Sequence, residues 1–185
     1  TDTTTVVNLT TAASATLSGA SVVAQGGRFI FTNFNMIAVP GDYTLTATTS
    51  VGSISVSRAI TIVNDVAAKL QVQLQNLETP KAGQPLQYSS GGFLKVRILD
   101  RFDNLVTVGS DNALRVTISA TAVAVAGQVG VTAVGGIADF TANSISISGV
   151  ANTTTGYNIL FTANTARGSL VTGRQENVLL AAGAP

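Results

Sequence analysis

A chain of 185 residues, 45% of them hydrophobic, has ample material for one large core or two small ones, yet only 10% of it is charged, where soluble domains carry about 25%. A net charge of +1 offers no clustered basic surface to nucleic acid or to an anionic membrane, so neither is expected as a partner. The absence of histidine and cysteine removes the usual general base, disulfides, thiolate metal sites and the nucleophile arrangements that need either residue, so no enzymatic activity and no cofactor are expected.

The low charge and a mean hydropathy of +0.40 leave a surface of Thr, Ser, Asn, Ala and Gly. This points to shielding by neighbours in an assembly, because isolated domains use charge to stay apart in solution; a secreted, Thr-rich domain short of Lys and Glu is the alternative. No stretch reaches the roughly 18 to 20 continuous apolar residues of a membrane span. The N-terminal TDTTTVV has no basic region followed by a hydrophobic one.

In chain order, AQGGRFIFTNF (24–34) comes first, with a Gly-Gly pair between two alternating runs. A tight hairpin there needs residues that accept positive φ, and RFIFTNF is predicted to be a strand. PGDYTLTAT then places Tyr43 at the head of an alternating run, where its hydroxyl is expected to bond the chain nearby. KLQVQLQ (69–75), FLKVRILD (93–100), LRVTISA (114–120), NSISIS (143–148) and YNILFTA (157–163) alternate with period two and read as strands with one buried face. PKAGQP (80–85), SSGG (89–92), DRFDN (100–104) and GSDN (109–112) are the turns between them, and the spacing is that of an all-β sandwich. ATAVAVAG (120–127) comes nearest to a helix but is too β-branched and Gly-bounded. The expected core is Leu94, Val96, Ile98, Val116, Ile118, Phe140, Tyr157 and Ile159, in about seven strands over residues 66–185.

One unit is written twice. AVGGIADFTAN (133–143) repeats the phrase at 24–34, and a single offset of 109 residues pairs Val7 with Val116, Leu9 with Ile118, Val22 with Val131, Ala24 with Ala133, Gly27 with Gly136 and Phe31 with Phe140. After an insertion around GVANTTT the offset becomes 114, pairing Tyr43 with Tyr157 and Leu45 with Ile159. The first copy has nothing before Val6 that corresponds to KLQVQLQ or FLKVRILD. Two strands are expected to be missing, leaving an open core and unpaired edges.

A strand, then D-x-x-D-N-L-V (Asp100, Asp103, Asn104, Leu105, Val106), another strand, a Gly-Gly hairpin, G-x-A-x-F-T (Gly136, Ala138, Phe140, Thr141) and a G-Y strand ending in T-A together resemble the immunoglobulin-like repeats of invasin- and intimin-type bacterial adhesins. The resemblance implies tandem immunoglobulin-like β-sandwiches: residues 1–65 as an incomplete module holding only the second half, and residues 66–185 as a complete one. It implies an extracellular, bacterial cell-surface location, with copies of the chain or adjacent immunoglobulin-like modules as partners.

Asp100, Asp103 and Asp111 gather in DRFDNLVTVGSDN with Asn104 and Asn112, and are weak candidates for Ca²⁺. Their spacing matches no calcium loop, and salt bridges to Arg101 and Arg115 or Asx-turns are the favoured reading. Asn8 in NLT and Asn152 in NTT fit the N-glycosylation pattern. The functional expectation is a non-enzymatic structural module of a filament, surface layer or adhesin stalk. A groove at Phe29 and Phe31 is expected to receive a strand from outside residues 1–65, either from a neighbouring subunit by β-strand complementation or from an upstream segment of a longer protein. The alternatives are a ligand-binding adhesin tip and a carbohydrate-binding accessory module.

Overall fold

Period-two alternation becomes strand almost wherever it occurs. The computed structural model describes residues 2–12, 14–171 and 175–182, apart from the side chains of 171 and 175–177, and it is all-β, with 57% strand and 2% helix. Among the described residues no helix is long and apolar enough to cross a membrane. The chain divides into two units, Thr1–Asn64 and Asp65–Pro185, a boundary one residue earlier than the sequence suggests.

The first unit holds β1 (Val6–Thr10), β2 (Ala15–Ser18), β3 (Ser21–Val23), β4 (Asn35–Ala38), β5 (Gly41–Thr49) and β6 (Ser55–Ile62). An antiparallel sheet runs in the order β3-β1-β5-β6, and β2 pairs with β4. The second unit holds β7 (Lys69–Leu77), β8 (Tyr88–Leu99), a 3-10 turn (Ser110–Ala113), β9 (Arg115–Ala120), β10 (Ala124–Ala126), β11 (Gly130–Thr132), β12 (Ile137–Asp139), β13 (Ser146–Ser148), β14 (Asn152–Thr165), β15 (Gly168–Val171) and β16 (Gln175–Leu180). Its sheets are β11-β9-β14-β15 with β16 also on β14, β12-β8-β7, and the pair β10-β13. These ten segments exceed the seven expected because β14 is paired by both β15 and β16, with register shifts along it, and the β10–β13 ladder stands apart.

The repeat read from the sequence is also a repeat of pairing. Val7 faces Thr49 and Leu9 faces Ala47 across β1 and β5; Val116 faces Ala163 and Ile118 faces Phe161 across β9 and β14. Both offsets are therefore kept within one ladder. The two Gly-Gly turns also match: Gly26 and Gly27 have φ of 61° and 78°, Gly135 and Gly136 of 56° and 81°, the left-handed pair that a two-residue hairpin requires. The two repeated tyrosines each donate a hydroxyl to a carbonyl upstream, Tyr43 to Val39 at 2.8 Å and Tyr157 to Val150 at 2.7 Å.

The second unit is closed around one core. Leu94, Val96 and Ile98, on one face of β8, are buried with Val116, Ile118, Phe140 and Ile159, and Phe140 meets Phe161 edge to face with centroids 5.4 Å apart. Tyr157 departs from expectation: it is half-buried at the margin, since its hydroxyl must reach Val150. SSGG is not a turn either. It lies inside β8, opposite a register break between Gln75 and Leu77 where Asn76 adopts φ 49°, so the glycines accompany a bulge rather than reverse the chain.

Because Phe140 is 1% exposed and meets Phe161 edge to face, Phe140→Ala is expected to cost the second unit about 3–5 kcal/mol. Equilibrium urea unfolding, compared with the unaltered chain, measures it.

Candidate functional site

The Gly-Gly turn sends the chain back on itself in both units. In the second, Val134 N–H donates to Ile137 O at 2.9 Å; in the first, Gln25 N–H donates to Arg28 O at 2.8 Å. The incoming arms are also held alike, Ala133 N–H donating to Leu114 O at 2.9 Å and Ala24 N–H to Thr5 O at 2.8 Å. The outgoing arms then differ. In the second unit β12 lies antiparallel to β8, pairing Ile137 with Arg97, Ala138 with Val96 and Asp139 with Lys95. Flanking bonds run from Phe140 N–H to Leu94 O at 2.9 Å and from Ile98 N–H to Gly136 O at 2.8 Å.

In the first unit the strand expected over RFIFTNF does not form. Only the Gln25–Arg28 bridge is made, and among the described residues no strand pairs with residues 29–31. The reason is that, among the described residues, this unit contains no counterpart of β7 or β8. Alternation marks a face, but a strand exists only where another backbone accepts its ladder.

The consequence is an open apolar groove of about 230 Å³, lined by Val7, Phe29, Phe31, Ala47, Thr49, Ile54, Ser55 and Val56. Its surface is carbon almost throughout. Phe29 and Phe31 are half-buried, while Ile54 and Val56 are each 70% exposed. Among the described hydrophobic residues of this unit only Val7 and Ala24 are buried, so its two faces do not close a core as the second unit's do.

Two positions exchange bulk between the units. The 114-residue offset sets Ala47 where the second unit has Phe161, and the 109-residue offset sets Phe29 where it has Ala138. One ring has left the sheet floor and another has appeared on the outgoing arm, so the volume of the layer is kept. Phe31, the counterpart of Phe140, meets Phe34 edge to face at 6.4 Å instead.

The three acids considered for calcium do not converge, and among the described residues no group of carboxylates is placed to hold a metal. Asp100, fully buried, accepts N–H groups from Asp65 at 3.1 Å, Phe102 at 2.9 Å and Asn104 at 2.9 Å, with the Asn104 amide at 3.1 Å. Asp103 is exposed and pairs with Lys69. Asp111 accepts Ala67 N–H at 3.0 Å and the Arg167 guanidinium at 2.8 Å. Arg101 pairs with Asp65 at 3.0 Å, not with the loop acids, and Arg167, far along the chain, fills the role assigned to Arg115.

Burial pushes the Asp100 carboxyl up, but the bonds from Asn104, Asp65 and Phe102 outweigh it and hold it below the ordinary carboxylate value. At Asp139, desolvation is likewise outweighed by Thr141 and Lys95. Burial, aided by Asp139, raises the Tyr88 phenol to about 12.

Sequence reasoning missed Asp2, although the 109-residue offset places it on Asp111. Where Asp111 grips the chain entering β7, Asp2 turns to its own backbone, accepting Thr4 N–H at 3.0 Å and Thr5 N–H at 3.1 Å. Hydrogen bonds from Thr5 and Thr4 hold its carboxyl at about 2. Of the glycosylation candidates, Asn8 is exposed on β1. The Asn152 amide is spent on its loop, donating to Thr155 Oγ1 at 2.9 Å and accepting N–H groups of Thr154, Thr155 and Gly156. Comparison of the chain with protein-family models, with curated proteins and with solved structures gives no match.

A Cβ at Gly136 would lie 2.4 Å from Val106 O, whereas one at Gly27 would meet nothing within 4 Å. Gly136→Ala is expected to carry the left-handed penalty of about 1–2 kcal/mol and about 1–3 kcal/mol more from the approach to Val106 O, readable from the second unit's unfolding transition.

A carboxyl depressed in the folded state stabilises fully above its unfolded value, about 3.9, and loses that contribution as pH falls through the folded one. The second unit is therefore expected to weaken below about pH 4. Asp100→Asn, which sets an NH₂ against donors, is expected to cost about 2–3 kcal/mol at neutral pH and to flatten part of that dependence in urea titrations at several pH values.

Proposed function

We propose that this chain is a non-enzymatic structural module of an extracellular assembly, such as a filament, surface layer or adhesin stalk, joined to its neighbours by β-strand complementation at the first unit. One observation carries the reading: the first unit repeats the hairpin, sheet and tyrosine of the second but lacks the strands that cover the second unit's core. An open apolar floor beside unpaired backbone is costly in water and is the arrangement that an added strand satisfies on both counts.

The groove chemistry favours a strand over a sugar. Its walls are aliphatic and aromatic carbon, with only Thr49 and Ser55 offering hydroxyls, while saccharide binding needs several placed polar groups. A chain with only 10% charged residues suits a module packed among others. The bacterial cell-surface setting rests on the sequence resemblance to invasin- and intimin-type repeats, and the expected partners are copies of this chain or adjacent modules of the same kind.

Native mass spectrometry across a concentration series, with differential scanning calorimetry, tests the proposal. The chain should either self-associate, with Phe29→Asp plus Phe31→Asp abolishing association and sparing the second unit's transition, or remain monomeric with a first unit that lacks a cooperative transition. A monomer whose first unit melts as cooperatively as its second would overturn it.

A further inference from the structure

The geometry points to the identity of the missing strand. Resting on the complementation reading above, the inference is that the occupant of the first unit's groove is a β8-type strand: antiparallel to residues 28–31, apolar at three alternating inward positions, and acidic at the residue facing Arg28.

The second unit supplies the template, because the scaffold around the groove is the same. In it, Leu94, Val96 and Ile98 point into the core from β8; the ladder with β12 sets Val96 opposite Ala138, and flanking bonds tie Leu94 to Phe140 and Ile98 to Gly136. Carried over by the 109-residue offset, the incoming inward residue matching Val96 falls across from Phe29, and the one matching Leu94 offers its carbonyl to the Phe31 amide as Leu94 does to Phe140. The exchange of Phe161 for Ala47 and of Ala138 for Phe29 conserves the bulk already in the layer, so the room left is that of side chains the size of Leu, Val and Ile rather than of a second aromatic ring. The turn is also ready to receive it. Gly136 is pressed against the chain that follows β8, at Val106, while the matching face of Gly27 is open.

The outer face sets a different demand. In the second unit, Asp139 forms an ion pair with Lys95 at 3.2 Å and Ile137 faces Arg97. In the first unit those positions are Ile30, which is 59% exposed, and Arg28, which is exposed. The chain's own β8 would therefore set Arg97 against Arg28 and Lys95 against Ile30. Like charges directly opposite across a ladder are unfavourable and opposite charges favourable, so the occupant differs from β8 at these two points: an acid faces Arg28 and an uncharged residue faces Ile30.

The offset supplies the test, because Thr1 occupies the place of Ser110. Residues 66–109 are fused directly ahead of Thr1 of the full chain, in one version unaltered and in another with Lys95→Thr and Arg97→Glu in the added copy only. Hydrogen exchange is followed at the Phe29 and Phe31 amides. The altered fusion should slow their exchange by at least about tenfold relative to the unfused chain, and by more than the unaltered fusion. Val96→Asp in the added copy should remove the protection. If a fusion does not fold, a synthetic peptide of residues 91–106 carrying the same two changes is added to the unfused chain and the same amides are read.

Equal protection from both fusions would overturn the charge assignment. A first unit that lacks cooperativity alone and gains no protection from fusion or peptide would overturn the strand assignment while leaving the complementation reading intact. Protection of residues 28–31 that appears only with self-association of the unfused chain, and is not displaced by the peptide, would identify the occupant as the same edge of a second copy and overturn the proposal. A cooperative first unit in the unfused monomer would defeat the complementation reading itself.

Discussion

The arm that leaves a Gly-Gly turn over an apolar layer must give its outward amides and carbonyls to another backbone, and much of this molecule follows from whether it does. Where β8 is present, the arm becomes β12, the glycine carbonyl accepts the Ile98 N–H, and alternate side chains of both strands turn inward to seal the layer. Where β8 has no counterpart, an arm with the same turn and the same alternation remains irregular, and the aromatic side chains meant for an interior line an open groove. The hydrophobic effect and the backbone ladder are thus satisfied together or not at all, because one strand supplies both.

The two units also show which parts of a repeat are self-sufficient. The ladder between β1 and β5 keeps the register of β9 and β14, and both tyrosine hydroxyls find carbonyls even though the loops differ in length. These features depend on residues near in sequence or within the same sheet. The face that needs a second layer is where the units diverge, and there the exchange of a ring between the sheet and the arm suits a covering layer of known bulk.

Much of the fold was legible in the sequence. Leu94, Val96 and Ile98 fall on one buried face by alternation alone, and the two offsets mark one unit written twice, because both are local or repeated patterns. What was not legible was non-local. RFIFTNF has the pattern of a strand, and nothing within it says that its partner is missing beside it. Asp100, Asp103 and Asp111 are neighbours in sequence, but Asp100 is drawn to the backbone of residues 65, 102 and 104 and Asp111 to Ala67 and Arg167, so proximity along the chain does not become convergence in space. Of the groove, Phe29 and Phe31 could be read in advance; Ile54 and Val56 could not, since their exposure depends on what fails to cover them. Asp2 and Ala47 carried a signal only when each unit was read through the other.

The two carboxylates that grip the segment entering β7 have a mechanical consequence. Asp100 holds the Asp65 amide and Asp111 the Ala67 amide, while near the far end Ala82 and Ala181 are tied by short parallel bonding around Lys81. A pull on the polypeptide at residue 65 is met by charged acceptors before it reaches the β7–β8 ladder, so the first resistance of the second unit to stretching is ionic in character. The Asp100 part of that resistance weakens as its carboxylate takes up a proton, so in acid a stretched chain would begin to peel from β7 at lower tension.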